Sequence, residues 1–109
     1  LVSMIQHFLN NKISLQKIVT KMCHNPADLF QIDRRGYIRK GYYADIVLLD
    51  LNSPWKVEKK NILYKCKWSP FEGIIFDSKV THTFINGKLV FENGKFDNNF
   101  RGREITFNR

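Results

Sequence analysis

The sequence has too few cysteines and histidines to suggest a self-contained metal site. It holds two cysteines, Cys23 and Cys66, and three histidines, His7, His24 and His82, with no Cys-x-x-Cys and no His-x-His. Two cysteines make no disulfide framework, so a reducing, cytoplasmic setting is the default expectation. Cys23 and His24 are adjacent, and neighbours on a helix point about 100° apart, so one metal ion does not easily take both. Each histidine is therefore interpreted as a structural or surface imidazole.

Long hydrophobic runs are also absent. No apolar stretch approaches the about 18–20 residues that cross a bilayer, so no membrane partner is expected. Residues 1–7 lack a basic region followed by a long apolar one, as a secretory signal would have. At 109 residues the chain suits one domain and is too short for a (β/α)₈ barrel, which needs about 250 residues.

Signatures of serine nucleophiles and of phosphate-binding loops are missing. Ser69 precedes Pro70 and does not lie in a Gly-x-Ser-x-Gly elbow. The segment from Gly36 to Gly41 has no Lys-Ser or Lys-Thr at the place that a phosphate-binding loop requires. The sequence therefore predicts neither type of site.

Two other side chains are candidate reactive groups, namely Cys66 and Glu72. Cys66 lies between two lysines that could lower its pKa, but we interpret it as a buried, inert thiol. Glu72 is the one carboxylate whose pKa burial could raise, because Trp68 and Phe71 are close in sequence. We expect Glu72 to accept hydrogen bonds within its own loop, which is a structural role.

Positive charge exceeds negative charge, with 18 basic and 10 acidic residues and a formal net charge of +8. Such a balance can indicate an anionic partner. The basic residues are scattered, however, and no RNA- or DNA-binding signature accompanies them. A solvated, lysine-rich surface is the favoured interpretation, and no nucleic-acid partner is expected.

The first third of the chain has helical periodicity. Apolar residues recur at helical spacing from Val2 to Leu9 and again after Ser14, which predicts two helices with Ser14 as the cap of the second. Asn25 and Pro26 predict a restart of the chain, with Asn25 as the cap of a short third helix that runs to about Ile32.

The remainder of the chain has the character of β-structure. Residues 44–51 form a near-continuous apolar run that suits a strand covered on both faces. Asn86-Gly87 and Asn93-Gly94 are strong hairpin-turn signals between β-branched and aromatic segments. Residues 36–41 predict a short strand or a tight connection, and residues 105–107 could add a last strand. Helices followed by antiparallel strands predict an α+β class in which each layer lacks a partner layer.

Four segments together carry a resemblance to a known family. They are residues 25–30 (NPADLF), 36–50 (GYIRKGYYADIVLLD), 68–73 (WSPFEG) and 80–91. The second follows the pattern Gly-x-Ile-x-x-Gly-x-x-Ala-Asp and resembles the end of amidohydrolase-superfamily enzymes. Residues 69–73 are similar to the narrower version found in dihydroorotases and allantoinases. Lys67 departs from this pattern, since close relatives tend to have glycine there, and we expect a local backbone change.

The resemblance implies a fold and an activity for a longer protein. Residues 1–35 would be helices from the end of a (β/α)₈ barrel, and residues 36–109 would be the C-terminal part of a small composite β-sandwich. The whole enzyme would be a zinc-dependent dihydroorotase of pyrimidine biosynthesis, which interconverts N-carbamoyl-aspartate and dihydroorotate. Its zinc ligands and its catalytic aspartate would lie upstream of residue 1.

The same resemblance implies that this chain holds no catalytic, cofactor-binding or metal-binding residue. None of His7, His24 and His82 matches a ligand position of the family. The expected partner is the N-terminal barrel portion of the same enzyme, because Leu1 opens the chain inside an apolar-periodic segment. Three alternatives stay open, namely an allantoinase-like enzyme, a non-catalytic interaction module and a homo-oligomer.

Overall fold

Three helices precede six strands in the computed structural model, which describes residues 1–109. The helices are α1 (Val2–Leu9), α2 (Leu15–Val19) and α3 (Asn25–Leu29), with a π-helical turn over Thr20–His24. The strands are β1 (Ile46–Asp50), β2 (Trp55–Lys56), β3 (Ile75–Phe76), β4 (Lys79–Ile85), β5 (Lys88–Glu92) and β6 (Lys95–Phe96). A short 3₁₀ turn covers Lys59–Asn61. The predicted order of helices followed by antiparallel strands is confirmed.

The start of α2 follows the predicted capping chemistry. Ser14 has extended backbone geometry, and its Oγ accepts a hydrogen bond from the backbone N–H of Lys17 at 3.2 Å. This bond satisfies one of the N–H groups that the first turn of a helix leaves unpaired. Ile18 is buried one turn later, so the cap and the apolar face agree on where the helix begins.

The predicted restart at Asn25 is wrong. Asn25 has helical dihedral angles (φ −58°, ψ −42°), and its N–H donates to the carbonyl oxygen of Thr20, five residues earlier. The helical path therefore continues from α2 into α3 through the π-turn. The physical reason is Pro26, which lacks an N–H and would clash with the carbonyl of the preceding turn in a regular α-helix. The wider π-turn accommodates the ring without breaking the helix. Helix α3 then ends at Leu29, short of Ile32.

The main sheet is antiparallel and has four strands in the order β1-β4-β5-β6, and β2 and β3 form a separate pair. Both predicted hairpin turns are confirmed. Asn86 and Gly87 have φ of +52° and +79°, and Asn93 and Gly94 have φ of +45° and +90°. Positive φ at both central residues is the geometry whose twist matches that of the flanking strands.

Strand β1 is not covered on both faces, contrary to the expectation from its apolar run. It lies at the edge of the sheet and pairs only with β4. Val47 and Leu48 are both more than 40% exposed. Residues 36–41 form turns and no strand, and residues 105–107 contribute a single bridge, between Ile32 and Phe107.

The buried core is small for a chain of this length. Seven of the 109 residues are buried, namely Ile5, Ile18, Ala27, Val57, Ile62, Phe76 and Ser78. Ile5 and Ile18 are the buried residues of α1 and α2. Phe76 is the buried residue of β3, where Trp55 and Phe71 contact it at ring-centroid distances of 5.9 and 5.6 Å.

None of the helices combines the length and apolar character that crossing a bilayer demands.

Candidate functional site

The helices meet the segment that leads to the sheet at Gly36. Gly36 has φ of +81°, and a Cβ built on it would lie 2.4 Å from the Cβ of Ala27 and 2.8 Å from the carbonyl oxygen of Cys23. Such distances leave no room for any side chain. The first glycine of the 36–45 pattern is therefore required for packing against α3 and the π-turn.

Asp45, the last residue of that pattern, joins two parts of the chain. One carboxylate oxygen forms an ion pair with the guanidinium of Arg35, whose side chain is only 12% exposed. The other accepts a hydrogen bond from the backbone N–H of Asn86 at 2.8 Å. The carboxylate thus holds the β4–β5 hairpin turn against the loop that follows α3, and its charge compensates a largely buried cation.

A second attachment joins α1 to the corner before β4. The side-chain amide of Gln6 donates to Oδ2 of Asp77 at 2.7 Å, and its Oε1 accepts from the Asp77 backbone N–H at 2.8 Å. The two residues lie 71 positions apart. This reciprocal pair fixes the helix against the sheet at a place that no local sequence pattern reveals.

Tyr37 lies against the π-turn. Its ring stacks on His24 at a centroid distance of 4.1 Å, and its hydroxyl donates to Oδ2 of Asp28 at 2.7 Å. This hydrogen bond is the main reason why the pKa of Tyr37 is raised above its ordinary value. The guanidinium of Arg39 lies 4.1 Å from the centre of the same ring. His24 therefore has a structural role in this stack.

An apolar cavity of about 300 Å³ lies between the helices and β1. Most of the residues around it are apolar, including Ile5, Ile18, Met22, Val47 and Leu49. Such a wall offers mainly van der Waals contact. Val47 lines this cavity and also lies on β1, whose edge opposite β4 has no partner strand. We call the cavity wall together with this free edge the β1 surface.

The residues of this chain that could ligate zinc lie apart from one another. No three side chains of His, Cys, Asp or Glu lie close enough together to hold a metal ion. His7 is exposed on α1. His82 lies on β4, where its Nε2 is 3.4 Å from Oε1 of Glu92. These residues therefore do not fit a zinc site.

The loop of residues 68–73 is ordered by its own hydrogen bonds. Ser69 Oγ accepts from the Phe71 N–H at 3.1 Å, and the Ser69 carbonyl accepts from the Glu72 N–H at 3.1 Å. The Glu72 carboxylate is exposed and makes no hydrogen bond, so its predicted role was wrong. Cys66, predicted to be buried, is exposed. Trp68 is 60% exposed at the surface of this loop.

Lys67, just before this loop, has a backbone geometry that glycine favours. Its φ is +54°, in the left-handed region. The lysine thus adopts a strained conformation, and the expected backbone change relative to relatives with glycine stays a prediction. For residues other than glycine this conformation costs about 1–2 kcal/mol.

Substituting Lys67→Gly is expected to stabilise the protein by about 0.5–1 kcal/mol, because relief of this strain exceeds the added flexibility of the unfolded chain. The midpoint of thermal unfolding should rise by about 2–6 °C. Lys65→Gly, at a neighbouring lysine without positive φ, is the matched control and should lower the midpoint. An equal effect of the two substitutions would contradict the assignment of strain to Lys67.

The chain exposes more surface than a compact protein of its mass. Its accessible area is 8396 Å², whereas about 6,300 Å² is expected for a folded monomer of this size. Its radius of gyration is 15.4 Å, compared with about 13 Å for a globular domain of this length. The excess of about 2,000 Å² is of the size that obligate interfaces bury.

Comparison with known proteins identifies a family and several relatives that match this chain. The model of the amidohydrolase family matches residues 2–90. A dihydroorotase from Pyrococcus furiosus is 37% identical over 93 residues, which are 85% of this chain and 22% of that protein. An allantoinase from Desulfitobacterium hafniense is 33% identical over 86 residues, which are 79% of this chain and 19% of that protein.

A solved structure of an L-hydantoinase (dihydropyrimidinase) from Arthrobacter aurescens matches the fold with a TM-score of 0.79 and 32% identity. The match covers 88% of this chain and 22% of the hydantoinase. This chain thus spans about a fifth of the length of the curated relatives and of the solved structure that it matches. The resemblance inferred from the four sequence segments is confirmed.

Proposed function

Because the chain belongs to the amidohydrolase family, we propose that it serves as a scaffold segment of a dihydroorotase and contributes no catalytic group of its own. The main support is the unsatisfied β1 surface, together with the absence of a grouped donor set in this chain. A segment that completes a larger enzyme needs an apolar surface to pack and no reactive residues.

Dihydroorotase is proposed ahead of allantoinase because most of the relatives compared have that name. Identity alone does not separate the two enzymes, since the dihydroorotases are 31–37% identical to this chain and the allantoinase, at 33%, lies within that range. Residues 69–73 are compatible with both. The substrate would be contacted by residues outside this chain, so allantoinase remains the second candidate.

In the proposed enzyme, zinc is held by the remainder of the protein. It would polarise the amide carbonyl of the substrate and lower the pKa of a bound water. The residues of this chain act at a distance from that chemistry. The helices support the outside of the barrel, and the four-stranded sheet forms half of a composite β-sandwich with strands from the rest of the enzyme.

Two attachments described above suit this role. The Gln6–Asp77 pair and the Asp45 bridge hold the helices and the sheet in one orientation. A barrel and a sandwich that pack on both layers need such a fixed orientation. An apolar surface of the remaining enzyme then packs on the β1 surface and covers the excess exposed area of this chain.

The proposal is tested with a chimaera. The matching 93 residues of the Pyrococcus furiosus dihydroorotase are replaced by this chain, and hydrolysis of dihydroorotate is measured with zinc supplied. We expect activity well above that of the dihydroorotase truncated before this stretch, because the scaffold is restored. A soluble chimaera with no more activity than the truncated protein would contradict the proposal.

A second chimaera distinguishes the two candidate enzymes. This chain replaces the matching 86 residues of the Desulfitobacterium hafniense allantoinase, and hydrolysis of allantoin is measured. A dihydroorotase segment should restore a larger fraction of parental activity in the dihydroorotase host than in the allantoinase host. The reverse order would favour the allantoinase assignment.

A further inference from the structure

A strap formed by residues 102–108 crosses from the sheet back to the helices. It begins at the β4–β5 hairpin, where the backbone N–H of Arg103 donates to Oδ1 of Asn86 at 3.0 Å. The guanidinium of Arg103 lies 6.0 Å from the centre of the Tyr43 ring. The strap lies outside residues 2–90, the stretch that the family model matches.

The far end of the strap is bound to the loop after α3. The N–H of Asp33 donates to the carbonyl of Thr106 at 2.8 Å, and the N–H of Asn108 donates to the carbonyl of Gln31 at 2.8 Å. The Asp33 carboxylate also accepts from the side chains of Thr106 and Asn108, both at 3.3 Å. Four hydrogen bonds thus join the strap to two residues of the loop, Gln31 and Asp33.

The carboxylate that receives these bonds is held in its charged form. Arg34 donates to Oδ2 of Asp33 at 2.9 Å and is the main reason why the pKa of Asp33 lies below its ordinary value. The bonds from Asn108 and Thr106 act in the same direction. At neutral pH the anchor of the strap is therefore an ionised acceptor, which makes charge-assisted hydrogen bonds.

The strap and the Gln6–Asp77 pair attach the helices at opposite ends of one strand. Asp77 precedes β4 and Asn86 follows it, so the two attachments are separated by about 30 Å of extended chain. The Asp45 bridge already joins Arg35 to the hairpin at the Asn86 end, through one ion pair and one hydrogen bond. The strap adds four hydrogen bonds at this same end, and these limit the remaining rotation between the helices and the sheet.

We propose that residues 102–108 form a clasp that fixes the orientation of the helices relative to the four-stranded sheet and that opens as a unit while the sheet stays folded. The clasp consists of exposed backbone with few buried apolar contacts, which places its opening at a low free energy. The sheet, in contrast, is held by backbone ladders, of which β1–β4 and β4–β5 each contain one bulge, and it opens later.

Native-state amide hydrogen exchange tests whether the clasp opens as a unit. The amides of Asp33 and Asn108 should share one free energy of opening, lower than that of the amides of β4. Asn108→Ala, which leaves the Arg34–Asp33 pair intact, should speed exchange at Asp33 at least tenfold. Glu104→Ala, within the strap but without a side-chain hydrogen bond, should leave this rate unchanged. Exchange at residues 33 and 108 only through global unfolding would overturn the proposal.

Residual dipolar couplings test whether the clasp fixes the orientation. In the unmodified protein the helices and the sheet should fit one alignment tensor. In Asp33→Ala, and in Asn108→Ala if the former does not fold, the couplings of α1 and α2 should shrink relative to those of β4 and β5. A single, undiminished tensor in a folded variant would show that the strap fixes nothing. Neither readout depends on the proposed enzyme activity.

Discussion

Gly36→Ala is expected to destabilise the protein by about 3 kcal/mol or more, which is a large share of the 5–15 kcal/mol that holds a typical domain together. Two costs combine at this position. The residue has φ of +81°, which is strained for any L side chain. The new methyl group would also lie 2.4 Å from the Cβ of Ala27, so α3 must move away.

The matched control is Gly41→Ala. Gly41 has φ of +83°, but a Cβ built there meets nothing within 4 Å. Its substitution should cost only the backbone strain, about 1 kcal/mol. Urea unfolding of both variants gives the two free energies, and their difference isolates the close approach to the helix. Equal losses would mean that Gly36 is needed for its backbone alone.

Asp45→Ala is expected to cost about 2 kcal/mol, less than the loss of one partner from a fully buried pair, because Asp45 itself is partly exposed. The substitution leaves the guanidinium of Arg35 largely buried without a counter-charge, and it removes the acceptor of the Asn86 N–H. Removing Asp45 is costly because the charge of Arg35, whose side chain is 12% exposed, then stays largely desolvated without a partner. Asp45→Asn keeps an oxygen that can accept the Asn86 bond and should lose a smaller amount.

A surface ion pair provides the comparison. Lys60→Ala removes a pair with Glu58 in which the lysine side chain is 80% exposed, and such exposed pairs contribute little to stability. The Asp45→Ala variant should therefore show a much lower unfolding midpoint in urea than Lys60→Ala. Similar midpoints would contradict the view that Asp45 joins the loop after α3 to the hairpin.

Local sequence patterns predicted the elements that local chemistry determines. Ser14 caps α2 because its side chain reaches an N–H three residues later, and Asn86-Gly87 turns the hairpin because both residues accept positive φ. These interactions lie within a few residues, so the sequence displays them directly. Pro26 does lie in the first turn of α3, but the predicted capping role of Asn25 failed, since a π-turn continues the helix in a way that propensity alone does not indicate.

Local sequence patterns did not predict the contacts between residues far apart in the chain. The Gln6–Asp77 pair joins residues 71 positions apart, and the Arg35–Asp45 pair depends on how the intervening loop folds back. The apolar run of β1 predicted burial that this chain does not supply. The missing cover is informative, because an apolar strand without a charged or proline residue at its centre is poorly suited to remain at a sheet edge.

The central claim is that the β1 surface is covered by the remainder of an amidohydrolase. Amide hydrogen exchange measures this most directly, when the amides of Ile46–Asp50 that point away from β4 are compared in this chain alone and in the active dihydroorotase chimaera. The account predicts that exchange slows at least a hundredfold in the chimaera, because a partner strand pairs with the edge. Equally fast exchange in the two proteins would contradict it.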